Sequence, residues 1–162
     1  MLNMARERHI NIALSTGKPE LESINWVLDN WEAAINLRAS KTEFDFALET
    51  FDFAQRIPNS AMMIVSIWGA LEAIFASHKA ELVFRVSAQL AAFLAPRGAD
   101  RLSKQREIVK LYGLRSAAAH GFPKHAGGDV VKTYELLRMA IIEMIHRKTV
   151  PTKDDLEVLL FS

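Results

Sequence analysis

The sequence predicts an all-α chain, a single-domain bundle of about six to seven mostly antiparallel helices. Three observations carry this reading. Apolar residues recur at spacings of three and four through most of the chain, the period that lays one helix face on a core. No stretch shows the strict apolar–polar alternation of a half-buried strand. Clusters of Gly, Pro, Asn and Ser separate the periodic segments at helix-length intervals, so the connections are short.

The 162 residues are of single-domain size and long enough to bury a substantial core. Lys and Arg number 20 against 19 Asp and Glu, a net charge of +1, which argues against broad, sequence-independent coating of duplex nucleic acid. There is no cysteine, so disulfides and thiolate metal sites are absent, as suits a cytoplasmic protein. The opening MLNMARERHINIALS carries charges and lacks an apolar core of signal-peptide length. The most apolar run, Ile64 to Ala76, is interrupted by Ser66, Gly69 and Glu72 and is too short for a bilayer, so no membrane partner is expected. There is no internal repeat.

Residues 1–18 read as an arm or short helix, with Leu2, Met4, Ile10, Ile12 and Leu14 available to dock on the core or on a second subunit. Residues 19–162 form the helical domain. Pro19, Glu20 and Glu22 suit the first turn of a helix whose wide apolar stripe comprises Leu21, Ile24, Trp26, Val27, Leu28, Trp31, Ala34, Ile35 and Leu37. Ser40 with Glu43 fits a capping box for the second helix, whose core face is Phe44, Ala47, Leu48, Phe51 and Ala54, widened by Phe46 and Phe53. Ser60 caps a third helix over about 61–77 that is apolar on nearly every face and therefore central; Gly69 in it suggests close helix contact, and Glu72 is a lone acid that needs a partner or a wet cleft.

The fourth helix runs over about 79–95, with Arg85 among Leu82, Val83, Val86 and Leu90. Asp100 caps a fifth, the motif helix over about 100–121, which Gly121 and Pro123 terminate. Lys124 to Gly128 reads as a loop, Asp129 as the cap of a sixth helix ending near Arg147, and Thr152 to Leu160 as a short last one.

The chemistry concentrates in Leu111 to Gly121, LYGLRSAAAHG, where Arg115 and His120 stand at R-x4-H spacing. Arginine offers a planar charged fork that fits phosphate oxygens, and histidine exchanges a proton near neutral pH. Together they suit cleavage of RNA without a metal or other cofactor: the histidine assists attack by the 2′-hydroxyl or protonates the leaving oxygen, and the arginine stabilises charge on phosphorus. DNA lacks that hydroxyl. Five residues of regular helix set two side chains about 140° apart, so the pair converges only if the helix unwinds at His120, which Gly121 permits, or if two copies face each other across a two-fold axis. Ser116 shares a helix face with His120 and is placed to orient it; Tyr112 is placed to stack on a base or brace Arg115.

Other readings of these residues stay open. An Arg and a His near a helix end also complement its dipole with no further role. Ser116 lies in a helix interior rather than on a strained elbow, which disfavours a serine nucleophile. His120 and His125 lack a nearby carboxylate for a metal site, and His9, His78 and His146 read as surface residues.

The segment LYGLRSAAAHG resembles the C-terminal signature of the Apea-like HEPN family, roughly Tyr-x-x-Arg-Ser-x-x-x-His-Gly, and Tyr112, Arg115, Ser116, His120 and Gly121 all match. Upstream, WGALEAIF (Trp68 to Phe75) is similar to that family's Ala-Leu-Glu helix, Glu72 taking the place of its Glu, and FRVSAQLAAFL (Phe84 to Leu94) to the Arg-containing helix after it. The similarity spans about Trp68 to Gly121. Where the family often has larger apolar residues between Ser and His, this chain has Ala117, Ala118 and Ala119, which bears on a dimer contact. The resemblance implies an α-helical bundle, two-fold homodimers and a metal-independent endoribonuclease using Arg115 and His120, in a toxin–antitoxin or phage-defence setting with an antitoxin or other partner protein. It equally accommodates a non-catalytic module that binds RNA, nucleotide or a protein, or a structural dimerisation protein.

Overall fold

A computed structural model describes residues 20–76 and 81–161. The chain winds through α1 (Leu21–Ser40), α2 (Thr42–Ala54), α3 (Ser60–Phe75), α4 (Leu82–Leu94), α5 (Ala99–Ala119), α6 (Gly127–Arg147) and α7 (Lys153–Phe161). No strand occurs among the described residues. The expected arm over 1–18, Pro19, His9, His78 and the junction of the third and fourth helices at 77–80 lie outside them.

One hydrophobic cluster draws on every helix, from Leu37 of α1 to Leu156 of α7. Its centre is α3, as the all-round apolar sequence predicts: Ile64, Ile67, Trp68, Leu71 and Phe75 are fully enclosed. This helix packs on α2, α5, α6 and α4. The bundle therefore presents the motif helix α5 to the one helix that carries Glu72.

The caps differ from the sequence reading. Ser40 is still helical in α1, so its hydroxyl donates to the Asn36 carbonyl at 2.7 Å, and Lys41 takes the N-cap position of α2 without a side-chain bond. At α3 the cap is Asn59, whose side chain accepts from the Met62 N–H at 3.0 Å; Ser60 is already the first helical residue. Gly98, at φ +121°, precedes α5, and Asp100 sits inside its first turn. Asp129 reaches back to the Ala126 N–H at 2.9 Å, which starts α6 three residues earlier than predicted and makes Gly127 and Gly128 helical rather than loop. Thr152 and Asp155 form a reciprocal box at the start of α7: the Thr152 N–H donates to the carboxylate at 2.9 Å and the Asp155 N–H donates to the threonine hydroxyl at 3.2 Å.

Two packing expectations are corrected. The stripe of α1 is mostly outside the core: Leu37 alone is buried, Trp26, Ala33 and Ala34 are partly so, and Leu21, Leu28 and Trp31 are exposed. One helix lying on α2 and α6 buries one face, and this stripe wraps well beyond it. Gly69 is not a close-contact position, because a Cβ built on it meets nothing within 4 Å. With open space and helical backbone, glycine contributes only excess unfolded-state entropy. Gly69→Ala should therefore raise unfolding stability by about 0.5–1 kcal/mol, measured as a higher urea midpoint at unchanged slope.

Candidate functional site

Each of two helices supplies a pair of neighbouring side chains. Trp68 and Glu72 are one turn apart on α3, and Tyr112 and Arg115 are three residues apart on α5. Where these faces meet, the Tyr112 hydroxyl donates to Glu72 Oε1 at 2.9 Å. Arg115 Nη2 lies 3.0 Å from the same oxygen and 3.2 Å from Oε2. The guanidinium carbon stands 5.5 Å from the Tyr112 ring centroid, and the enclosed Trp68 meets that ring edge-on at 4.9 Å. Glu72, which the sequence shows as an isolated acid, is thus satisfied by one neutral and one charged donor.

The Glu72 and Arg115 side chains keep 19% and 25% of their surface, so the pair is largely but not wholly withdrawn from water. Hydrogen bonds to a charged group in such a setting are worth roughly 1.5–3 kcal/mol. Burial first, and then the hydrogen bond and negative charge of Glu72, push the Tyr112 hydroxyl up to about 12 against the opposing effect of Arg115. Arg115 is not spent on this cluster. Its Nη1 makes no hydrogen bond among the described residues, and its buried Nε also lacks a partner. A guanidinium held on one edge by a carboxylate, with donors left over, is suited to take a second anion.

His120 occupies a different environment. The helix stays regular through Ala119, and His120 is its cap residue at φ −91°, ψ 9°. Gly121 turns to φ +80°, the Phe122 N–H donates to the Ala117 carbonyl at 2.9 Å and the Gly121 N–H to the Ala118 carbonyl at 3.2 Å. This is the Schellman arrangement, and it depends on glycine at the left-handed position. The imidazole is exposed and has no side-chain hydrogen bond among the described residues. Because the backbone unwinds only after His120, the side chains of Arg115 and His120 still leave the axis about 140° apart. The structure therefore joins Glu72, Tyr112 and Arg115, and leaves His120 outside that cluster. Ser116 is half-buried and meets His120 through the backbone, its carbonyl accepting the His120 N–H at 3.2 Å; the expected bond from its hydroxyl to the imidazole is not formed.

Three features were not visible in the sequence reading. Trp68 braces Tyr112, a role hinted at by its placement one turn before Glu72. His125 Nε2 lies 2.8 Å from the Ser60 hydroxyl and pins the connection after the motif to the start of α3. A cavity of about 540 Å³ opens between α1, α2 and α6, lined by Trp26, Val27, Leu48, Phe51, Ile141 and Ile145, and no motif residue reaches it. Among the described residues no three His, Asp or Glu side chains gather as a metal site requires, and no helix is long and apolar enough to cross a membrane.

Comparison with family models, curated proteins and solved structures finds no match for this chain.

The Tyr112 environment yields a pH signature. The folded chain keeps a proton that the unfolded chain loses near the ordinary tyrosine value, so this hydroxyl's contribution to stability is complete below about pH 10 and is lost as pH rises towards 12. A difference titration of tyrosinate absorbance, native chain minus Tyr112→Phe, should place the Tyr112 transition near 12.

Proposed function

We propose that this chain is a metal-independent endoribonuclease of the Apea-like HEPN kind, in which Arg115 binds and stabilises phosphate and His120 moves protons. The observation that supports it best is the anchoring of Arg115. Glu72, itself bound by the Tyr112 hydroxyl, holds Nη2 of the guanidinium while Nη1 makes no hydrogen bond among the described residues, and the exposed imidazole at the end of the same helix is likewise unengaged there. In the reaction His120 takes the proton from a ribose 2′-hydroxyl, the oxygen attacks phosphorus, the bond to the 5′-oxygen breaks, that oxygen takes up a proton from water, and the imidazolium returns its proton to solvent. Arg115 stabilises the charge that grows on the phosphoryl oxygens. The products are a 2′,3′-cyclic phosphate and a 5′-hydroxyl.

Because one helix splays the two side chains apart, a complete site draws Arg115 from one copy and His120 from another, with Ala117, Ala118 and Ala119 allowing close approach. The setting we propose is cytoplasmic, with RNA as substrate and an antitoxin or other protein as partner. A second reading has its own support. Glu72 already neutralises Arg115, and the chain's net charge is only +1, which fits a non-catalytic module that binds RNA, nucleotide or a protein.

The deciding assay is cleavage of a mixed-sequence single-stranded RNA in EDTA. The native chain should cut and leave cyclic-phosphate ends, and His120→Ala and Arg115→Ala, each folded, should fall at least about 100-fold. Equal cutting by all three would assign the activity to a contaminant, and no cutting by the native chain would favour the binding module. Glu72→Gln keeps a hydrogen-bond acceptor but loses the ion pair. It should reduce turnover while the far-UV spectrum stays native, and unchanged turnover would remove Glu72 from the site. If the site is shared, a mixture of the Arg115→Ala and His120→Ala chains should recover part of the lost rate.

A further inference from the structure

The side of α5 that faces away from the bundle carries a line of residues that runs up to His120. Arg106, Lys110, Gly113, Ala117 and His120 follow one another at intervals of 4, 3, 4 and 3. On a regular helix they fall within about 40° either side of one line, about 21 Å long. Arg106, Lys110, Gly113 and His120 are exposed and Ala117 is half-buried. The opposite side turns the buried Ile108 and Leu111 inward, together with Arg115. Asp100 and Glu107, the two acids of α5, stand about 100–120° away around the helix, and Lys104 already holds Glu107 at 2.8 Å. Like charges one turn apart destabilise a helix, yet Arg106 and Lys110 are so placed, and neither side chain has a hydrogen bond or ion pair among the described residues. The fold gains nothing from this pair.

An aromatic ring stands at the far end of the line. The Schellman turn fixes the chain just beyond His120, where the Phe122 N–H is bonded to the Ala117 carbonyl. A hydrophobic residue at this position commonly packs back on its helix. Phe122 instead is 73% exposed, and the exposed Lys124 follows two residues on.

We propose that this side of α5 is the binding track for a single RNA strand. Arg106 and Lys110 take phosphates, Gly113 and Ala117 let the backbone lie close to the helix, and a base beside His120 stacks on Phe122. Cations in a row with an exposed aromatic ring match a single strand, which carries charge along its backbone and a flat face on every base. An acidic peptide would engage the cations and leave the ring unused. The inference rests on the ribonuclease reading for its substrate and adds residues that bind the strand away from the reacting bond.

The test separates binding from cutting. The probe is a short, mixed-sequence, fluorescein-labelled 2′-O-methyl RNA, which lacks the attacking hydroxyl, and anisotropy is read over a range of salt. The full chain should bind it, more weakly as salt rises. Arg106→Gln with Lys110→Gln should lower the slope of log affinity against log salt by about 1.4, about 0.7 for each lost phosphate contact. Lys104→Gln, about 160° around the helix from Arg106, should leave the slope unchanged. Phe122→Ala should weaken binding at least about 5-fold with the slope unchanged. No binding by the native chain, an unaltered slope in the double variant, or polyglutamate bound as tightly as the strand would each overturn the track. Binding with the expected slopes by a chain that leaves unmodified RNA uncut would sustain the track and count against the ribonuclease reading alone.

Discussion

A carboxylate on the most apolar helix of a bundle must be neutralised from outside that helix, and much of the site follows from this requirement. Glu72 faces α5 from α3 and accepts from Tyr112 and Arg115. The bond lengths leave little freedom in the axial register or rotation of α5 against α3. Removing either donor would leave charge with reduced compensation in a setting that keeps only 19% of the Glu72 side chain in water. Trp68, fully enclosed one turn away, keeps the Tyr112 ring in place by its edge. The cluster packs α5 on α3, and the same contacts fix the orientation of the Arg115 guanidinium.

The far end of the motif is governed by a different constraint. Helix α5 has to stop, and Gly121 lets it stop abruptly by taking a conformation that residues with a side chain resist. The Schellman bonds to Ala117 and Ala118 satisfy carbonyls that would otherwise be left open at the helix end, and they leave His120 as the last residue with its imidazole outward. The helical geometry that places Arg115 against Glu72 thereby turns His120 away from it.

Tertiary packing also explains why α1 departs from the core face predicted for it. Its apolar residues cover more of the helix circumference than α2 and α6 can accept. Trp26, Ala33, Ala34 and Leu37 are taken inward, and the heptad line from Leu21 to Ile35 is left outward. The sequence shows both lines and cannot rank them, since periodicity reports that a face is apolar and says nothing of which neighbour it meets.

Several features of this protein could be read from local sequence. The helical class, the places where helices break, the centrality of α3 and the termination of α5 at Gly121 are all properties of short stretches: a period of 3.6, breaker residues, an all-round apolar segment, a glycine before Phe122 and Pro123. The motif residues could be named, and Glu72 could be flagged as an acid needing a partner. The partner itself lies 40 and 43 residues away in the chain, and only the packing of α3 on α5 selects it. The caps of α3 and α6 are local as well, Asn59 accepting the Met62 N–H and Asp129 the Ala126 N–H. Local sequence determines which conformation a segment prefers. Which surfaces are buried, and which charges meet, depends on distant segments arriving together, and only the tertiary structure decided that.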